Sequence, residues 1–177
     1  MLFKAILAKT WSTPDPASLV YDSCYTVWDH PRNIARPGTG VTYSSSSVAT
    51  GDRIAIFATR GFYCTEHDNP FFSATFDPNK WWQIDLKNEY HLEKILFYPP
   101  YENKYCKDLT FRFGKNANAS SSDNEIIYTH PGPVPVDVIL VVNVTSDSVG
   151  RYLNILSSST TKNFGIAAIQ VITKEDF

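Results

Sequence analysis

Lys80-Trp81-Trp82-Gln83-Ile84-Asp85-Leu86 constrains this chain more than any other stretch. Two adjacent tryptophans run into an alternating apolar and polar segment. In a strand, successive side chains point to opposite faces. Trp82, Ile84 and Leu86 therefore share one face, and Trp81, Gln83 and Asp85 share the other. A strand that buries two indoles and two branched aliphatics needs a large apolar partner, because folded chains rarely expose that much contiguous apolar surface. Residues 81–86 are expected to form the central strand of the core.

The remaining text supports the same class. Short apolar or alternating runs follow at 92–98, 109–113, 125–129, 136–144, 151–156 and 164–172, with turn signals between them. Pro99-Pro100 stops the first of these, since proline cannot donate to a strand ladder. The valine-rich run 136–144 reads as an inner strand, and 53–59 as a buried strand or one helical turn. No long amphipathic helix is apparent. About eight strands at short spacing predict an all-β, eight-stranded antiparallel jelly-roll sandwich. Residues 1–32 read as an N-terminal extension with short strands at 2–7 and 24–28, residues 33–173 as the domain, and 174–177 as a short tail.

Composition excludes several functions. The 177 residues suffice for one domain with its own core. A net charge of −2 leaves no basic footprint for nucleic acid. With 14% aromatic and only 19% charged residues, a β-rich globular domain is favoured over a disordered chain. No apolar run approaches the roughly 20 residues of a transmembrane helix. The apolar patch in residues 1–9 is broken by Lys4 and falls short of a secretory h-region, so no standard signal is expected if Met1 is the natural start. Cys24, Cys64 and Cys106 lack C-x-x-C spacing, and both one disulfide plus a free thiol and three reduced thiols fit. Asn118-Ala119-Ser120 lies in a polar loop and reads as a glycosylation sequon. Asn143-Val144-Thr145 sits in an apolar run and reads as a chance match.

Four segments in order resemble the discoidin, or coagulation factor 5/8 type C, family, and within it the fucose-binding F-type lectins. They are Asn33-Ile34-Ala35 with Gly38 and Ser44-Ser45; the tryptophan strand; Leu92-Glu93-Lys94-Ile95-Leu96-Phe97 with Leu109-Thr110-Phe111-Arg112-Phe113-Gly114; and Gly150-Arg151-Tyr152-Leu153 with the closing run to Ile172. The resemblance covers roughly residues 33–172. It implies a galactose-binding-like jelly roll that binds ligands through loops at one end.

The departures bear on function, which lives in sites and not in the fold. F-type lectins hold fucose with one histidine and two arginines. Here the two arginine positions are Tyr101 and Asp108, and neither offers a rigid guanidinium fork. The adjacent cysteine pair of many members is reduced to Cys106. His67 lies in the neighbourhood of the family's histidine but not at its spacing. The Asp-Gly turn that members use near a structural Ca²⁺ is replaced by Ala55-Ile56-Phe57-Ala58. Ca²⁺ needs six to eight oxygen ligands, and Glu66, Asp68, Asn69 and Asp77 read as a solvated loop cluster, so no metal or other cofactor is expected.

No phosphate loop, nucleophile elbow or His-Glu-x-x-His is present. Cys64 with His67 is a lone Cys-x-x-His that nothing completes, so the chain does not read as an enzyme. Two loops remain. One, residues 60–72, mixes aromatic and polar groups, with Phe62, Tyr63, His67 and Phe71 as candidate ligand contacts. The other, residues 101–107, offers Tyr101, Lys104, Tyr105 and Lys107. The first mixture can stack on a sugar ring and bond its hydroxyls or insert apolar tips into a membrane or partner, while Phe62, Phe71 and Phe72 can instead fold inward to cap the barrel end; the second fits a glycan, an acidic peptide or a solvated loop. The leading expectation is a non-catalytic module for a glycan or glycosylated partner, extracellular if so. The competing reading is a protein-interaction scaffold, cytoplasmic or ciliary. A membrane surface is the least favoured partner.

Overall fold

The computed structural model describes residues 24–26, 30–36, 38–49, 54–59, 62–64, 70–101, 103–136, 138–160 and 163–175. Its strands in chain order are β1 (Cys24–Thr26), β2 (Thr42–Ser45), β3 (Phe62–Cys64), β4 (Phe71–Phe72), β5 (Lys80–Tyr98), β6 (Leu109–Gly114), β7 (Glu125–His130), β8 (Leu140–Asn143), β9 (Val149–Ser157), β10 (Gly165–Ile166) and β11 (Ala168–Thr173). Only two short 3₁₀ helices, Ala55–Thr59 and Asn103–Tyr105, interrupt this pattern among the described residues. No helix among them is long and apolar enough to cross a membrane. All strand pairs are antiparallel. The chain has the expected all-β jelly-roll class, with the extra strand segments β1, β3, β4 and β10 being only two or three residues long.

The central strand is longer than the sequence suggests. The runs at 81–86 and 92–98 are one strand, β5, which serves both layers of the sandwich. Its first half pairs with β2 and β9. Its second half pairs with β11 and β8. Beyond β9, the first layer continues through β6 to β7. The β5–β9 register slips between Asp85 and Tyr90, just before β5 leaves β9 after His91 and takes up β11 from Leu92. There Lys87 takes a left-handed φ of 69°, and its N–H donates to Asp85 Oδ1 at 2.8 Å. Lys87, Asn88 and Glu89 stand exposed at this bend. A local polar turn of this kind bends a strand without ending it.

The core lies between the layers. Trp82, Ile84 and Leu86 point inward and are buried, as their shared face predicts. Trp81 is only half-buried, so one indole and not two anchors the centre. The Trp82 Nε1–H donates to the Ala55 carbonyl at 2.8 Å, which fixes the 3₁₀ helix against β5 and realises the helical-turn alternative for 53–59. Phe97 from one layer meets Phe111 from the other edge-on, centroids 5.8 Å apart. The valine run at 136–144 is not an inner strand. Only Leu140–Asn143 forms β8, paired to β5, and it alternates: Val141 is exposed while Val142 is fully buried. The Val138 N–H turns back to the Pro135 carbonyl at 3.1 Å, so a local turn occupies the start of the run.

Two segments outside the sandwich layers make pairings of their own. Within the expected extension, β1 pairs with β3. At the other end, Glu175 accepts from the His91 backbone N–H at 3.0 Å and lies 2.7 Å from its Nδ1. Lys174 pairs with Asp147 at 2.9 Å.

Candidate functional site

Strand register defines the two ends of the sandwich. Lys80 and Leu109 both lie across from Ser157, and Tyr98 lies across from Ala168. The connections 73–79, 99–108 and 158–164 therefore leave from one end. Pro99-Pro100 ends β5 there, and the following loop makes the 3₁₀ helix Asn103–Tyr105. Asp108, at φ 52°, turns the chain into β6.

The back of this loop is held by the core. Cys106 is fully buried, and its thiol donates to the Gly165 carbonyl at 3.2 Å. Its carbonyl accepts from the Val134 N–H at 2.9 Å. Burial pushes the Cys106 thiol pKa well up. The Ser157 hydroxyl donates to the Lys107 carbonyl at 2.8 Å, and the Ser158 N–H donates to the Asp108 carbonyl at 3.2 Å.

The front carries an aromatic cluster. Phe72 of β4 is buried at its base. Tyr105 packs edge-on against Phe72 with centroids 4.8 Å apart, Tyr101 lies 6.4 Å from Phe72, and the two tyrosines are 6.1 Å apart. Both tyrosines keep part of their surface exposed. The Lys104 ammonium sits 5.0 Å from the Tyr105 ring centroid, a cation–π distance. Lys107 is exposed, with its ammonium 3.9 Å from the Asp108 carboxylate. Gly165 permits the arrangement, because a Cβ there would lie 2.3 Å from Phe72 Cε1 and 3.0 Å from Pro100 Cγ.

Of the residues singled out in the sequence, Tyr101, Lys104, Tyr105 and Lys107 thus come together on one loop. Phe71 does not join them. It has no exposed surface and packs edge-on against Phe164, centroids 5.8 Å apart, so it is a core residue and not a ligand contact. Its neighbour Phe72 takes the place expected of it. The signal lay in the doublet itself: adjacent strand residues face opposite ways, so one phenylalanine enters the core and the other the loop cluster. Phe62 and Tyr63 fall in β3, with backbone register Thr26↔Phe62 and Tyr25↔Tyr63. His67 lies outside the described residues.

Neither Tyr101 nor Asp108 supplies a cationic fork. Tyr101 is part of the cluster and Asp108 is the left-handed turn residue. Arg151 is committed to Asp85 through Nε at 2.7 Å and a second nitrogen at 2.9 Å. Arg112 donates to the Ser121 and Asn124 carbonyls. Among the described residues, no three histidine, cysteine, aspartate or glutamate side chains gather closely enough to hold a metal ion.

An open hollow of about 680 Å³ lies at the opposite end, between Gly114, Lys115, Asn116, Asp123, Glu125 and Ser148. Its polar groups satisfy one another or close neighbours: Asn116 donates to Asp123 at 3.0 Å, Lys115 pairs with Glu89 at 2.6 Å, and Ser148 bonds Glu125. A binding site needs polar groups that converge on the ligand, which favours the aromatic cluster over this hollow.

The sequence matches no protein-family model and no curated protein. Solved structures do share the architecture. A fucolectin from the serum of striped bass, Morone saxatilis, superposes with a TM-score of 0.68 at 17% identity, over 80% of this chain and 48% of that one. A fucose-binding module of Streptococcus pneumoniae gives 0.60 at 18% identity, over 81% and 98% of the two chains. The fold is the galactose-binding-like jelly roll. A chitosan-binding module from a Paenibacillus sp. IK-5 chitosanase/glucanase shares it as well, with a TM-score of 0.62 at 16% identity over 78% and 97% of the chains. The chain spans about half the length of the bass lectin and nearly all of the two bacterial modules.

Proposed function

We propose that this jelly roll is a non-catalytic glycan-recognition module whose ligand rests on the Phe72–Tyr101–Tyr105 cluster, with Lys104 and Lys107 at its rim. The observation that carries this is the cluster itself: two part-exposed tyrosines braced on a buried phenylalanine beside a lysine, at one end of the sandwich. A pyranose presents an apolar C–H face and a rim of hydroxyls. A tyrosine ring covers the first, while phenol and ammonium groups bond the second. The anchors at Cys106, Lys107 and Asp108 order the loop before the ligand arrives, which lowers the entropy cost of binding.

The bass and bacterial neighbours named for fucose and chitosan support a sugar as the ligand class. The loss of arginine at Tyr101 and Asp108 argues for a sugar other than fucose held by a basic triad. A glycan array probed with the full chain tests the reading. Retention of one glycan class, lost in Tyr101→Ala and Tyr105→Ala variants that melt like the parent, is expected. No retained glycan at millimolar protein, with a protein partner captured instead, would favour the scaffold reading.

A further inference from the structure

We propose that Cys24 and Cys64 form an intramolecular disulfide that staples β1 to β3. The carrying observation is strand register. β1 and β3 make a two-stranded antiparallel sheet of their own in which Cys24 lies directly across from Cys64, followed by Tyr25↔Tyr63 and Thr26↔Phe62. Directly opposed residues of an antiparallel pair have Cα atoms about 4.5 Å apart at a non-hydrogen-bonded site and about 5.5 Å apart at a hydrogen-bonded one. A disulfide takes Cα separations of roughly 4.4–6.8 Å. Either kind of site therefore falls within the bridging range, with no shift of backbone required.

The third cysteine does not compete. Cys106 is fully buried and gives its S–H to the Gly165 carbonyl. Burial also raises its pKa, which starves it of the thiolate that disulfide exchange requires. The odd cysteine count thus resolves into one pair and one interior thiol. A two-stranded ribbon is marginal by itself in water, and a covalent link supplies what three residue pairs of ladder lack. It also joins the chain before β2 to the chain that runs directly into β4, the strand that carries Phe72.

The chemistry is ordinary exchange with glutathione disulfide as oxidant. One cysteine, deprotonated, attacks a glutathione sulfur and releases one glutathione thiolate. The second, deprotonated, attacks the mixed disulfide at the protein sulfur and releases the other. Two protein thiols and one glutathione disulfide give one protein disulfide and two glutathione thiols, so the two electrons lost by the protein pass to glutathione.

The test counts thiols on the full chain. After incubation with glutathione disulfide and unfolding in guanidinium without reductant, a polyethylene-glycol maleimide should add once, against three times after dithiothreitol. Peptide mass mapping should place that label on Cys106 and find the Cys24 and Cys64 peptides joined, lighter by two hydrogens than their sum. A Cys106→Ser variant should take no label before reduction. If that variant does not fold, the peptide map of the parent decides alone. Three additions without reductant, separate glutathione adducts on Cys24 and Cys64, a bridge that includes Cys106, or a bridge between two copies would each overturn the proposal.

Discussion

The ring of Tyr105 meets the ring of Phe72 at 66°, with centroids 4.8 Å apart. The contact joins the loop after β5 to strand β4, two segments distant in sequence. It makes a part-exposed loop tyrosine one half of a braced platform. Edge-to-face pairs of this kind contribute about 0.5–1.5 kcal/mol beyond the area they bury. Phe72→Ala should therefore weaken glycan binding about tenfold, equivalent to ~1.4 kcal/mol, through loss of support for Tyr105 and not loss of a direct contact. Titration calorimetry on the variant and on Tyr105→Ala checks this. If Phe72→Ala binds like the parent while Tyr105→Ala does not, the bracing argument fails.

Two glycines separate stability from binding. A Cβ on Gly150 would lie 2.8 Å from the Gly114 nitrogen and 2.9 Å from its Cα, so backbone would have to move. A Cβ on Gly165 would strike Phe72. Overpacking of this kind costs roughly 1–3 kcal/mol, and both alanine variants should melt lower than the parent. Measured well below their melting temperatures, Gly165→Ala should lose glycan affinity and Gly150→Ala should keep it. Equal affinity losses in the two would show that the cluster is not specifically coupled to Gly165.

The Asp85–Arg151 pair predicts an acid response. Arg151 hydrogen bonds, with help from the Lys87 N–H, hold the Asp85 carboxyl far below the usual carboxylate range. A carboxylate whose pKa is lowered by folding stabilises the native state above its unfolded pKa of about 3.9. That stabilisation is lost as the pH falls through that value toward the lower folded one. The parent should therefore lose stability below about pH 4 more steeply than Asp85→Asn. Above pH 5 the variant should be less stable by about 1 kcal/mol, because solvent screening at the part-exposed Arg151 reduces the roughly 1.5–3 kcal/mol of a hydrogen bond to a charged group. Parallel melting-temperature curves from pH 2 to pH 7 would contradict this assignment.

Lys80 is 1% exposed, and its ammonium donates to the Ser159 carbonyl at 2.8 Å. It links the start of β5 to the connection after β9, at the end that carries the aromatic cluster. Lys80→Ala removes that bond and leaves a cavity, with an expected cost of about 2–4 kcal/mol. Lys80→Met keeps the volume and avoids burying a charge, so it should cost much less. Chemical denaturation of both variants decides the order. A methionine variant as damaged as the alanine one would mean that the charge, not the volume, holds this junction.

Particular residues show how far the sequence carried. The alternation of Trp82, Ile84 and Leu86 revealed the central strand, because period-two burial is written directly in side-chain polarity. The fusion of two predicted strands into β5 was hidden. It depends on the left-handed backbone of Lys87 and its bond to the Asp85 carboxylate, and neither residue type announces that geometry. The valine run is continuous in composition but not in burial, since a turn at Pro135 delays the strand and β8 alternates. On the loop, the chemistry of Tyr101, Lys104, Tyr105 and Lys107 was legible and its convergence was not. Phe71 and Phe72 are chemically identical, and only the pairing of β4 with β10 decides which ring enters the core. The opposition of Cys24 and Cys64 could not be read from their spacing, since it follows from the pairing of β1 with β3.

The most direct measurement is binding of an immobilised glycan panel to the full chain and to Tyr101→Ala, each with and without a Ca²⁺ chelator. The 3₁₀ helix Ala55–Thr59, bonded by Trp82, carries no carboxylate, and no three histidine, cysteine, aspartate or glutamate side chains gather among the described residues. The parent should therefore retain one glycan class, unaffected by chelation, and Tyr101→Ala should retain it at least tenfold more weakly at an unchanged melting temperature. Retention that chelator abolishes, or that Tyr101→Ala leaves intact, would contradict the claim that the aromatic cluster is the binding site.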